Sequence, residues 1–184
     1  MKNIYILIIL LIVTSCFQNA QYENKTSIIQ EENKKRIVGK KYFEFNRVDY
    51  YSIDLSEDDA IALMIKKNKT KKEEVINHIL FNYDMNYTNK LYKYGYKLKV
   101  IEEKDKINSL KNIFSTNECN NKIDVASTCE TTFRDIFIFK NNDKIVGKAK
   151  ICFSCGDYYI EGSKYETSNF GHCGDYERLY NLIK

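Results

Sequence analysis

The residues best suited to chemistry are cysteines. Of the six in the chain, all but Cys16 lie in its second half. Cys152 and Cys155 form a Cys-x-x-Cys motif, a spacing used by thiol redox pairs and by zinc sites. A redox pair needs its first cysteine at the start of a helix, but strand-forming residues flank this motif. We expect the strand to continue through the motif and to point the two sulfurs to opposite faces, which favours a structural role for each.

The N-terminus carries the most specific signal. Lys2 precedes an unbroken apolar run, Ile4 to Val13, which is too short to span a bilayer but fits the apolar region of a secretory signal. The run ends in Val13-Thr14-Ser15-Cys16, which resembles the lipobox of bacterial lipoproteins. The resemblance implies cleavage before Cys16, a diacylglyceryl thioether on its sulfur and an acylated amino group. Several acyl chains on one residue make a firm membrane anchor.

The predicted signal divides the chain into three parts. Residues 1–15 are the signal peptide, residues 16–40 are a polar tether, and residues 41–184 are long enough for one domain with its own core.

The whole chain has a net charge of +4, which is too small to predict a nucleic acid or another polyanion as partner. The sequence therefore predicts an envelope protein that is held at a membrane by lipid on Cys16.

An exported chain meets an oxidising compartment, where cysteines form disulfides. Cys119 and Cys129 bracket a short polar loop, and we predict a disulfide between them, worth about 2–3 kcal/mol on the chain-entropy model. Five cysteines remain once Cys16 carries lipid, so one thiol has no partner within the chain. The alternative is a zinc site at Cys152 and Cys155, completed by Cys119 and Cys129 or by His172 and Cys173.

Other catalytic patterns do not occur in the sequence. We find no phosphate-binding glycine loop, no nucleophile elbow and no His-Glu-x-x-His motif. His78 lies beside the apolar stripe of a predicted helix and fits a surface or half-buried position. Catalysis therefore has no support, and no cofactor is predicted apart from the possible zinc.

The strongest strand signal is the stretch Phe133 to Tyr159. Two runs rich in β-branched and aromatic residues flank Asn141-Asn142-Asp143, which predicts a hairpin. Ile136 to Phe139 is apolar throughout, as in a strand covered on both faces. In the second run Ala149 and Ile151 share one face of the strand, while Lys148 and Lys150 share the other.

Helices are predicted where capping residues precede apolar periodicity. Ser56 and Thr70 each cap a helix, the second with Glu73 as its capping-box partner. Further helices are expected over residues 104–114 and after Asp175. Strands are expected over residues 41–53 and 91–100, the latter with Leu98 and Val100 on a half-buried face and lysines in solvent.

The last third of the chain resembles a group of short uncharacterised proteins from Bacteroidota. The resemblance rests on Phe133-Arg134-Asp135, on Ile151-Cys152-Phe153-Ser154-Cys155 and on Asn169-Phe170-Gly171. It implies a recurring structural module and transfers no activity and no catalytic residues.

We predict an α+β domain, an antiparallel sheet centred on the meander 133–160 with three to four short helices. The leading hypothesis is a non-enzymatic envelope lipoprotein that binds another protein, and the alternative is a thiol-redox or zinc protein acting through Cys152 and Cys155.

Overall fold

A five-stranded antiparallel sheet forms the centre of the protein in this computed structural model, which describes residues 38–119 and 129–184. Its strands are β1 (Arg47–Ser52), β2 (Lys97–Ile101), β3 (Asp135–Asn141), β4 (Lys144–Cys152) and β5 (Asp157–Glu161). They lie in the order β2-β1-β3-β4-β5, so β2 and β5 form the two edges. The predicted signal peptide and most of the tether, including Cys16, lie outside the described residues.

The hairpin of β3 and β4 is present where the sequence predicts it. Asn142 and Asp143 form its turn with φ values of 48° and 63°, the positive values that a two-residue type I′ connection requires. Along β3, Phe137 and Phe139 belong to one core cluster and Ile136 and Ile138 to another. The prediction that β3 is covered on both faces is therefore confirmed.

Four α-helices and one 3₁₀ helix accompany the sheet in the described residues. They are α1 (Glu57–Ile65), α2 (Lys71–Phe81), the 3₁₀ helix (Thr88–Tyr94), α3 (Lys104–Ile113) and α4 (Asp175–Ile183). Ser56 caps α1 by accepting the Asp59 N–H at 3.1 Å, and Thr70 and Glu73 form the predicted capping box of α2. The N-cap of α4 is Gly174 rather than Asp175, which begins the helix.

The helices divide between the two faces of the sheet. On one face α3, α4 and the segment from Tyr42 to Phe45 pack against Phe137 and Phe139. On the other face α2 and the 3₁₀ helix pack against Ile136 and Ile138. The α+β prediction is confirmed, because helices pack against a sheet in which every pair of neighbouring strands is antiparallel. None of the described helices has the length and apolar character that a membrane span requires.

Two predicted strands differ from the observed ones. The first begins at Arg47, because the chain before it is irregular, and Phe43 consequently packs on the opposite face of the sheet from Tyr51. The second is shorter than predicted, because residues 88–94 form the 3₁₀ helix and Gly95 adopts a φ of 95° before β2 begins. The alternation of tyrosines and lysines over residues 91–100 is thus shared between a helical turn and a strand.

Candidate functional site

The cysteines pair differently from the prediction. Cys119 is bonded to Cys173 and Cys129 to Cys155, each pair with a Cα–Cα distance of 5.6 Å, within the range that disulfides require. The predicted Cys119–Cys129 disulfide is therefore wrong. Its two cysteines are close in sequence, but the fold brings each of them next to a partner from the C-terminal part of the chain. Cys152 is the one unbonded cysteine of the described residues.

Cys152 is the last residue of β4, and Cys155 lies within the tight turn that follows it. β4 ends at Cys152, residues 153–156 form the turn, and β5 begins at Asp157, which pairs with Cys152. The expectation that one strand continues through the motif is wrong, because the chain reverses there. Both cysteines are buried together with Phe133 in one small cluster.

The sulfurs of Cys152 and Cys155 both contact the segment of residues 130–132. The Thr132 N–H donates to Cys152 Sγ at 3.4 Å, and Ser154 Oγ lies 3.4 Å from the same sulfur. Cys155 Sγ lies 3.3 Å from the carbonyl oxygen of Glu130. The thiol of Cys152 and the Cys129–Cys155 disulfide are therefore held against the same few residues.

The proposed zinc ligands are not assembled into a metal centre in this structure. Cys119, Cys129, Cys155 and Cys173 are all bonded in disulfides, and a zinc thiolate ligand must be unbonded. No group of three or more histidine, cysteine or acidic side chains suited to a metal ion occurs within residues 38–119 and 129–184. The donor set present here does not fit zinc.

Lys150 is a buried charge on the lysine-bearing face of β4. Only 2% of the residue is exposed. Its Nζ donates to the carbonyl oxygens of Ile79 at 2.8 Å and Asn82 at 3.0 Å, at the C-terminal end of α2. Burial lowers the pKa of Lys150 from 10.5 to about 8, and Asp84 partly opposes the shift. Carbonyl oxygens at a helix C-terminus are a favourable environment for a cation, so this lysine caps α2 from the sheet.

His78 is half-buried, as expected, and its partner follows α2. His78 Nε2 lies 2.7 Å from Asp84 Oδ2, and the Asn86 N–H donates to the other oxygen of Asp84 at 3.0 Å. Burial raises the pKa of Asp84, but the Asn86 N–H and His78 outweigh it and the pKa lies below its usual value. The rings of His78 and Tyr87 pack in a T-shaped arrangement, with their centroids 5.0 Å apart. These contacts fasten the loop after α2 to the helix.

Two exposed apolar side chains, Leu98 and Val100, lie on edge strand β2. Leu98 is 49% exposed and Val100 is 41% exposed, whereas Ile101 at the end of the same strand is buried. The face over residues 92–100 that was expected to be half-buried is therefore divided: Tyr96 is buried and Tyr94 packs against the core, whereas Leu98 and Val100 are exposed. Tyr92, 66% exposed, adds an aromatic ring from the adjacent 3₁₀ helix.

The lysines of β2 alternate with these apolar residues. Lys97 Nζ is 4.0 Å from Asp54 in a contact whose side chains are 76% and 95% exposed, an arrangement that contributes little energy. Lys99 Nζ donates to the carbonyl oxygen of Ile183 at 2.7 Å, at the C-terminal end of α4. Within the described residues, β2 is paired on its inner side with β1 and with no strand on its outer side.

The chain was compared with protein-family models, with curated proteins and with solved structures, and none of the three comparisons found a match.

Proposed function

We propose that this protein is a lipid-anchored component of the bacterial cell envelope that binds another envelope protein and has no catalytic role. Lipid on Cys16 would hold it at a membrane, and the polar residues 16–40 would let the domain reach a partner. A partner-shielding function, as in an assembly factor or an immunity-type inhibitor, fits this arrangement.

The observation that carries the proposal is the outer edge of β2. An edge strand presents unpaired N–H and C=O groups, which can accept an additional strand from another chain. In β2 this edge is accompanied by exposed apolar side chains, Leu98 and Val100, and by Tyr92. Backbone pairing would supply affinity, and the alternating side chains would supply specificity.

The charges on β2 favour an extended acidic and apolar segment as the occupant. Acidic side chains would face Lys97 and Lys99, and apolar ones would pack on Leu98 and Val100. A second copy of β2 fits poorly, because antiparallel pairing about its centre brings Lys99 opposite Lys99, and like charges directly opposite are destabilising. Lysines on an edge strand are also a common means of preventing self-association.

The alternative, a thiol-redox or zinc protein acting through Cys152 and Cys155, has less support. Cys155 is bonded to Cys129, and Cys152 is 1% exposed. Redox catalysis on another molecule, or metal binding, needs both sulfurs of the motif to be free and accessible at one site.

The binding proposal is tested by photo-crosslinking in cells that export the full-length chain. A photoreactive amino acid replaces Leu98 in one variant and Ile145 in the other. Ile145 is a matched control because it is apolar and 47% exposed, and β1 and β3 separate its strand from β2. We expect a discrete adduct with one envelope protein from position 98 and none from position 145. Equal labelling from both positions, or no adduct at 98, would contradict the proposal.

The anchor is tested separately by metabolic labelling with an alkyne fatty acid. We expect wild-type protein to carry the label and Cys16→Ser to lose it, since the thioether needs the cysteine sulfur. Equal labelling of both would show that the resemblance to the lipobox is accidental. Loss of the anchor alone would leave the binding proposal standing, because the crosslink reports a different part of the chain.

A further inference from the structure

Three sulfurs are gathered at the turn between β4 and β5, and the proposed function uses none of them. Cys129 and Cys155 are bonded, and the buried thiol of Cys152 lies in the same cluster. We propose that these residues form a thiol–disulfide exchange site, in which Cys155 bonds either to Cys129 or to Cys152.

The local geometry supports the second bond. Cys155 lies in the turn three residues after Cys152, and Cys152 pairs with Asp157 on the returning strand. Their sulfurs touch the same short segment, one at the Glu130 carbonyl and the other at the Thr132 N–H. The Cys119–Cys173 disulfide is not part of this cluster, so it serves as an internal reference.

The reaction needs no oxidant or reductant. Cys152 loses its proton to solvent, and its thiolate attacks Cys155 Sγ. The Cys152–Cys155 bond forms while the Cys155–Cys129 bond breaks, and Cys129 leaves as a thiolate that takes a proton from solvent. One disulfide and one thiol are present before and after the step.

The surrounding structure can tolerate the exchange. Thr131 Oγ1 donates to Asp157 Oδ2 at 2.6 Å, and the Phe133 N–H donates to the Leu80 carbonyl at 2.8 Å. These bonds hold the segment before β3 when Cys129 is released. Access to the buried sulfur needs only the turn to open, and its Ser154 and Gly156 are exposed.

The consequence is a change in which cysteine is available for modification. Cys152 is 1% exposed, whereas Cys129 is half-buried and precedes the exposed Glu130. Exchange therefore converts an inaccessible thiol into one at the surface. A modifying reagent would be expected to react at Cys129, although Cys152 is the thiol of the resting form.

The first experiment maps disulfides in the exported full-length Cys129→Ser variant by non-reducing peptide mass spectrometry. We expect most molecules to contain a Cys152–Cys155 bond. Cys119→Ser is the matched control, since it also removes one bridge but should leave Cys152 as a thiol. Two unbonded thiols at Cys152 and Cys155 in Cys129→Ser would overturn the proposal.

The second experiment uses wild-type protein and does not depend on the folding of a variant. The protein is held at pH 8.5 and alkylated at increasing times before mapping. We expect label to accumulate on Cys129 in step with the Cys152–Cys155 peptide, at a rate independent of protein concentration. Cys152→Ser should show no label on Cys129. Label confined to Cys152 in wild type, with Cys129–Cys155 intact, would refute the exchange.

Discussion

The buried Lys150 makes the stability of the domain depend on pH in a direction that the structure fixes. Its pKa is about 8 in the folded protein and 10.5 as the reference value. Below pH 8 the ammonium group of Lys150 stays charged while it is buried in the folded state. The size of the pKa shift corresponds to a cost of about 3 kcal/mol in the free energy of unfolding. Between pH 8 and 10.5 the unfolded chain binds a proton that the folded chain does not, so stability rises with pH in this window.

Substitution Lys150→Met tests this account, because methionine is of similar length and carries no charge. It removes the desolvation cost but leaves the Ile79 and Asn82 carbonyls unpaired, at about 1–3 kcal/mol each. The two effects roughly cancel at pH 7. By pH 9.5 the free energy of unfolding of the wild-type protein has risen by about 2 kcal/mol, because the folded lysine has lost its proton. The variant has no lysine at this position and shows no such rise. The free energy of unfolding of wild type minus that of the variant should therefore rise by about 2 kcal/mol between these values.

The assay is urea unfolding at pH 7 and 9.5, with Cys152→Ser in every protein so that no thiol rearranges the disulfides. Buried tyrosines such as Tyr42 have raised pKa values and weaken the fold above about pH 10, but this effect cancels in the difference. Lys148→Met is the control, since Lys148 lies on the same face of β4 and contacts Glu161 at 3.4 Å. A difference that stays constant with pH would refute the account of Lys150.

Three further predictions concern packing, caps and bridges. A Cβ at Gly147 would lie 2.1 Å from the Phe43 ring, so Gly147→Ala should cost about 1–3 kcal/mol in urea unfolding, and Phe43→Leu should recover part of it. Equal costs with and without Phe43→Leu would contradict the clash. Thr70→Ala should cost about 1 kcal/mol and Thr70→Ser almost nothing, and similar values for both would show that the cap is unimportant. Replacing Cys119 and Cys173 together by serine should cost up to about 4 kcal/mol, because their bridge spans 54 residues; an unchanged thermal midpoint would argue against that bridge.

Local signals explain why much of the fold could be predicted from the sequence. The capping box of Thr70 and Glu73 acts within four residues, and the turn at Asn142 and Asp143 within two. Such features are decided by the chain close to them, so the helix and the hairpin follow from the sequence. The segment over residues 91–100 shows the limit, since side-chain alternation cannot distinguish a continuous strand from a 3₁₀ helix followed by Gly95 and a shorter strand.

The site depended on contacts between distant parts of the chain, and these could not be predicted. Cys119 is bonded to a cysteine 54 residues away, and the nearer Cys129 is bonded elsewhere. Lys150 alternates with apolar residues as a solvated lysine would, but the end of α2 covers it and its carbonyls bind the ammonium. Leu98 is the opposite case, because no helix covers it and it stays exposed.

Amide hydrogen exchange of β2 tests the central claim, binding at its outer edge, most directly. The full-length protein is measured in its native membranes and again after purification, and the peptides that cover Lys97–Ile101 and Asp157–Glu161 are compared. We predict that the amides of Lys97–Ile101 exchange at least tenfold more slowly in the membranes, while those of the opposite edge, Asp157–Glu161, do not change. Equal exchange of Lys97–Ile101 in both preparations would contradict a partner strand at this edge.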